Sequence, residues 1–243
     1  MCGRFVQKEA PEYYADYFKA QLMPVFEQRV PQYNVAPTAP VIAVAVHDGV
    51  RRLESFRWGL LPFWAKDRRI GAKHINARVE TAAMKPAFRD SFSKRRCLIP
   101  ADGFFEWQVR PQGKLPHYIY SADQRPLALA GLWSMWRDPE TDEQIVTCTI
   151  LTGDPIESVA TVHDRMPVIL SADMWGTWLD RDLTNVDEVQ EMLAGRPDPL
   201  MALHPVATLV NKVANNLAEN IVPLDSSVGE AQQSLLDLST SSE

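Results

Sequence analysis

Val41-Ile42-Ala43-Val44-Ala45-Val46-His47-Asp48-Gly49-Val50-Arg51-Arg52-Leu53-Glu54-Ser55-Phe56-Arg57-Trp58 decides the fold class of this 243-residue chain. Val41 to Val46 reads as a strand, because β-branched residues dominate a short apolar run. His47-Asp48-Gly49 supplies the turn chemistry of a hairpin, and Arg51 to Trp58 reads as the returning strand. Similar short strands are predicted at Leu98 to Ile99, His117 to Tyr120, Leu127 to Leu132 and Ile145 to Leu151. Helices are predicted over Pro11 to Gln21, where proline suits the first turn, and over Ala83 to Arg89, Ile156 to Thr161, Ala172 to Leu179 and Val186 to Leu193. Strands and helices do not alternate as βαβ units, so the expected class is α+β: a single mixed domain with an antiparallel, barrel-like β core surrounded by helices. That domain is expected to span residues 1–224. Residues 225–243 are rich in Ser, Gln and acidic side chains and are expected to form a polar, mobile tail.

A hydrophobic content of 46% is ample for such a core. No segment approaches the run of about 18 apolar residues that a membrane span needs, so the expectation is a soluble, cytoplasmic protein. Three scattered cysteines without a Cys-x-x-Cys pair argue against a disulfide framework and a zinc cage. No metal or cofactor is expected. Cys97 and Cys148 lie in apolar runs and read as small buried hydrophobes.

The net charge of −6 hides a lopsided distribution. Residues 51–96 hold thirteen Lys/Arg against four Asp/Glu, whereas residues 138–243 hold four against nineteen. The basic stretch also carries Trp58-Gly59-Leu60-Leu61-Pro62-Phe63-Trp64, and aromatics among cations suit a single-stranded nucleic-acid groove. Trp58 reads as core, with Phe63 and Trp64 the stacking candidates. An ordinary solvated face accounts for the charge equally well.

Cys2 follows Met1 directly. Removal of Met1, expected when the next side chain is small, leaves an α-amine and a thiol on one residue. An aldehyde condenses with that amine, and the sulfur closes a five-membered thiazolidine; both reactive forms are populated near neutral pH. Four further segments place polar groups among rigid neighbours. In Tyr33-Asn34-Val35-Ala36-Pro37-Thr38, the proline restricts the backbone before it. Ile75 to Thr81 alternates, which puts Asn76, Arg78 and Glu80 on one face of an extended segment. Glu106 lies between Phe105 and Trp107, where desolvation raises a carboxyl toward neutrality and suits it to acid–base work, although a surface glutamate fits the spacing as well. His163 in Val162-His163-Asp164-Arg165-Met166-Pro167 is the histidine best placed for proton transfer. His47, His74, His117 and His204 read as structural or solvated.

These segments together resemble the SRAP family, the SOS-response-associated peptidases, also described as abasic-site processing proteins. The resemblance runs through Cys2-Gly3-Arg4-Phe5, Tyr33 to Pro37, Arg57 to Leu60, Asn76 to Thr81, Arg96 to Phe104, Glu106-Trp107, His163 to Pro167 and His204-Pro205-Val206. Phe105 stands where many members carry tyrosine. The resemblance implies covalent capture of abasic sites in single-stranded DNA through Cys2, with Asn76, Glu106 and His163 as its catalytic partners. It implies DNA contacts from Arg4, Asn34, Pro37, Phe63, Trp64, Arg78, Thr81 and Arg165, a lyase side activity, and a peptidase activity read as self-processing. A monomer acting at the nucleoid is expected. Two alternatives remain at this point: an N-terminal-nucleophile amidohydrolase, and a DNA-binding module without a covalent step.

Overall fold

The computed structural model describes residues 2–26 and 29–224; Met1 and the expected tail at 225–243 lie outside the described residues. Thirteen strands are present among those residues: β1 (Arg4–Gln7), β2 (Gln21–Leu22), β3 (Gln32–Val35), β4 (Pro40–His47), β5 (Val50–Trp58), β6 (Asn76–Arg78), β7 (Arg96–Ala101), β8 (Gly103–Arg110), β9 (Gly113–Ser121), β10 (Leu127–Arg137), β11 (Gln144–Gly153), β12 (Met166–Pro167) and β13 (Met201–Pro205). Six short α-helices accompany them: α1 (Pro11–Tyr17), α2 (Val79–Ala82), α3 (Arg89–Lys94), α4 (Glu157–Ala160), α5 (Trp175–Leu179) and α6 (Val186–Ala194).

The Val41–Trp58 hairpin forms as expected, with Val44 opposite Leu53 and His47 opposite Val50. It belongs to the ring β11-β10-β7-β4-β5, whose members pair antiparallel until β5 meets β11. That last pairing is parallel, Arg57 with Thr147 and Trp58 with Cys148, and it closes the barrel. The core is therefore a five-stranded mixed barrel rather than a purely antiparallel one. Val41, Ala43 and Ala45 point inward with Ile99, Leu129 and Cys148, while Ile42 and Val44 pack outward with Phe18, Leu98 and Trp178. Both faces of β4 are covered, so the strand reads as an unbroken apolar run instead of an alternation.

A second sheet, ordered β13-β9-β8-β1-β3, packs against this barrel. Phe5, Val35 and Phe104 join the same apolar cluster as the barrel interior. β1 is flanked on both edges, Phe5 pairing with Val35 on one side and Phe104 on the other. This pins the start of the chain inside the fold.

Several local expectations change. The helix expected over Pro11 to Gln21 ends at Tyr17, because Lys19 turns the backbone to a φ of 52° and the chain leaves as β2. The helix expected at Ala83 to Arg89 is replaced by α2 and α3 on either side of it. The extended reading of residues 75–81 holds only to Arg78; α2 begins at Val79, so Glu80 leaves the strand face shared by Asn76 and Arg78.

Gly59 ends the hairpin at a φ of +129°, and a Cβ there would sit 2.6 Å from the Gly71 carbonyl oxygen. Gly59→Ala therefore combines left-handed backbone strain with a backbone clash that no side chain can relieve. The expected cost is about 3 kcal/mol, read from denaturant midpoints. A loss under about 1 kcal/mol would show that the two loops separate freely.

Candidate active site

Cys2 precedes β1 and is fully buried in the shared core. Asn76 opens β6, which runs parallel to β11 with Asn76 opposite Ile150. Its Nδ2 donates to the Cys2 carbonyl at 2.7 Å, while its buried Oδ1 meets no donor among the described residues. One amide thus holds the backbone of Cys2 and keeps an acceptor in reserve.

Glu106 lies on β8 and is only 2% exposed. Its sequence neighbours do not bury it as the spacing suggests. Successive strand residues face opposite sides, and Phe105 and Trp107 pack with Tyr118 and Val206 in a separate cluster. Glu106 instead faces the side of Phe104, toward Cys2. Burial raises its carboxyl from 4.5 to about 7. The Cys2 thiol moves further in the same direction: desolvation, and then the Glu106 carboxylate, push it far above its usual value. At neutral pH the thiol is protonated and the carboxyl beside it is poised to take or give a proton.

His163 stands in the loop between α4 and β12, its backbone N–H bonded to the Val159 carbonyl at 3.1 Å. Nε2 lies 3.7 Å from Glu106 Oε2. At Nδ1, the Arg165 backbone N–H donates from 3.1 Å and the Asp164 carboxylate lies 2.8 Å away. The first contact needs an acceptor nitrogen and the second a donor. Asp164 is 88% exposed, and the two contacts at Nδ1 call for opposite tautomers of the ring. Burial lowers the His163 pKa, which keeps the ring neutral at pH 7.

Glu106 and His163 open onto a cleft of about 680 Å³ whose wall includes Trp107, Val109, Lys114, Val162 and Asn211. Of these five, Val109, Lys114 and Asn211 lie outside every segment read from the sequence. Lys114 is brought in by the β8–β9 register, opposite Val109, and Asn211 by a bond from Trp107 Nε1 at 2.7 Å. Neither link leaves a local sequence signal.

The remaining candidates separate into exposed and committed groups. Phe63 and Trp64 are 63% and 49% exposed, and Trp58 is buried with Nε1 bonded to the Ile75 carbonyl at 2.8 Å. Arg78 is exposed and makes no ion pair among the described residues; Pro37 is half-buried. Asn34 is only 5% exposed, and its Nδ2 bonds to the carbonyls of Val210, Lys212 and Asn215 at 3.0–3.2 Å. Arg4 Nη1 donates to Asn34 Oδ1 and the Val210 carbonyl. Asn34 is thereby a staple for the 210–215 loop, its amide donors taken up by backbone carbonyls. Thr81 lies in α2 with its hydroxyl buried. Arg165 is bound to Glu80, Asp154 and the Thr152 carbonyl.

The family model described as SOS response associated peptidase (SRAP) matches residues 1–213. The chain belongs to the SRAP family. Among SRAP relatives, the abasic site processing protein YoqW of Bacillus subtilis strain 168 is 40% identical over 223 residues, covering 91% of this chain and 99% of that protein. The abasic site processing protein YedK of Escherichia coli K12 is 30% identical, covering 92% and 100%. The abasic site processing protein HMCES of Gallus gallus is 34% identical over 80% of this chain and 67% of its own. The SRAP fold extends to a crystal structure of a Bacteroides thetaiotaomicron protein, with a TM-score of 0.83 and 26% identity over 92% of this chain and all of that one. No helix among the described residues is long and apolar enough to cross a membrane.

Proposed function

We propose that this protein processes abasic sites in single-stranded DNA by trapping the ring-opened sugar as a thiazolidine on Cys2, shielding the lesion during the DNA damage response. The observation that carries the reading is the pairing of the buried Cys2 thiol with a carboxyl whose pKa is about 7, while Asn76 fixes the Cys2 backbone. The names of the family relatives support the same substrate.

With Met1 removed, the Cys2 amine adds to the C1′ aldehyde. Protonated Glu106 gives its proton to the carbinolamine hydroxyl, which leaves as water and produces the imine. That imine is formed protonated on nitrogen; the resulting carboxylate takes the thiol proton, and as sulfur bonds to C1′ the C=N electron pair passes to nitrogen, which keeps its proton. One water is released overall. A thiol held protonated by its surroundings needs such a base, and a carboxyl near neutrality supplies both proton-transfer roles at one pH. His163, 3.7 Å from Glu106, carries the proton that passes from the amine nitrogen to the C1′ oxygen as the carbinolamine forms. Before sulfur closes the ring, the imine acidifies the C2′ protons, so β-elimination with cleavage of the C3′–O bond is the competing lyase route. The peptidase of the family name is read as self-processing that exposes Cys2. One chain supplies all four groups, so a monomer acting on nucleoid DNA suffices.

Intact-mass spectrometry of the protein mixed with an abasic single-stranded oligonucleotide tests this. The expected product is the sum of the two masses less one water, with the oligonucleotide mapped by peptide sequencing to Cys2. An adduct on a lysine, or glutamine hydrolysis without an adduct, would replace this reading with a lyase or an amidohydrolase.

A further inference from the structure

Glu80 has no part in these steps, yet it makes a two-point ion pair next to the site. Its Oε1 and Oε2 meet Arg165 Nη1 and Nη2 at 2.8 and 2.9 Å. The same guanidinium reaches Asp154 at 3.0 Å and the Thr152 carbonyl at 2.7 Å. We propose that Glu80 sets the affinity of the strand-binding face: its carboxylate occupies the fork of Arg165 that a DNA phosphate takes when the strand binds. This rests on reading the site as one for DNA.

A fork-to-fork carboxylate presents to arginine the same planar pair of acceptors as a phosphate, so one can replace the other without loss of geometry. Exposure makes the exchange cheap in the needed direction. The Glu80 and Asp154 side chains are 47% and 89% exposed, so both carboxylates can move into water, whereas Arg165 is 15% exposed and stays anchored on Thr152. Arg78 ends β6 just before α2, is exposed, and makes no ion pair within 4 Å among the described residues, though its charge acts on the Glu80 carboxylate. A phosphate that displaces Glu80 therefore meets two guanidinium groups in place of one. The exchange also lies next to the chemistry, because the Arg165 backbone N–H holds His163 Nδ1. The competing reading is a permanent strut that joins α2 to the His163 loop.

The test measures non-covalent binding of a short single-stranded oligonucleotide carrying a tetrahydrofuran abasic analogue, which has no C1′ hydroxyl and so no aldehyde form. Glu80→Gln is expected to tighten binding about three- to fivefold at low salt, the scale of a part-exposed ion pair. The gain should shrink as salt passes about 0.15 M. In an Arg165→Gln background the gain should vanish, since the displaced pair is already absent. Binding that is unchanged or weaker in Glu80→Gln identifies a strut and overturns the inference, as does a gain that persists without Arg165, which reflects net charge alone. A wild-type protein that does not bind the oligonucleotide overturns the DNA reading itself.

Discussion

Replacing Glu106 with Gln is expected to slow adduct formation about 10²- to 10⁴-fold, while making the folded protein more stable above pH 7. Both effects have one cause. The carboxyl is raised from 4.5 to about 7 by burial, so the fold holds a group it would rather keep neutral. Between those two values the folded protein retains a proton that the unfolded chain has lost, and stability falls as pH rises. Above pH 7 the wild type carries the whole penalty, on the order of 3–4 kcal/mol at the conversion of 1.36 kcal/mol per pH unit. Glutamine keeps the shape and cannot ionise. The Tm curves of wild type and Glu106→Gln should meet near pH 4.5 and separate through pH 7, with the variant higher. Parallel curves would mean that water already solvates the carboxyl. In the rate assay Cys2→Ala sets the floor, with no heat-stable adduct. An unchanged rate in Glu106→Gln would remove Glu106 from the chemistry whatever its effect on stability.

Arg96→Lys is expected to destabilise the fold by about 3 kcal/mol or more although charge is retained. Arg96 is 5% exposed and all five of its N–H groups end on carbonyl oxygens. Nε reaches Trp178, Nη1 reaches Phe92 and Ser93, and Nη2 reaches Asp180 and Leu183. This one guanidinium joins the start of β7 to the ends of α3 and α5. Lysine brings three donors on a flexible stem and no fork, so at least two buried carbonyls lose their partner. Urea denaturation measures the loss, and a difference below about 1 kcal/mol would show that lysine and water rebuild the network. The abasic-site chemistry should survive in whatever fraction remains folded.

Arg96 also shows why charge counting reached only part of the way. It was one of thirteen cations in the basic stretch, yet it is buried and bonded entirely to backbone. Asn34 makes the same point among the polar candidates: its amide donors are engaged by the carbonyls of the 210–215 loop. Phe63, Trp64 and Arg78 are exposed, so for them the composition of the stretch and the surface agree. What separates the two groups is long-range packing, which no local count records.

Within single segments the sequence was informative, because periodicity and turn chemistry act over a few residues. The Val41–Trp58 hairpin, the burial of Trp58 and the strands around β7, β10 and β11 were all legible from neighbouring side chains, and the position of Cys2 directly after Met1 made it the candidate nucleophile. The resemblance added Asn76, Glu106 and His163 as companions of Cys2. Tertiary structure decided what joins those segments: the parallel β5–β11 pairing that closes the barrel, the Asn76 bond to the Cys2 carbonyl, and the 3.7 Å approach of His163 to Glu106. It also decided the proton affinity of Glu106. The aromatics beside it in sequence face the other side of β8, and the burial that raises its pKa comes from the packing of two sheets. Side-chain chemistry is a property of the residue, but desolvation is a property of everything folded around it.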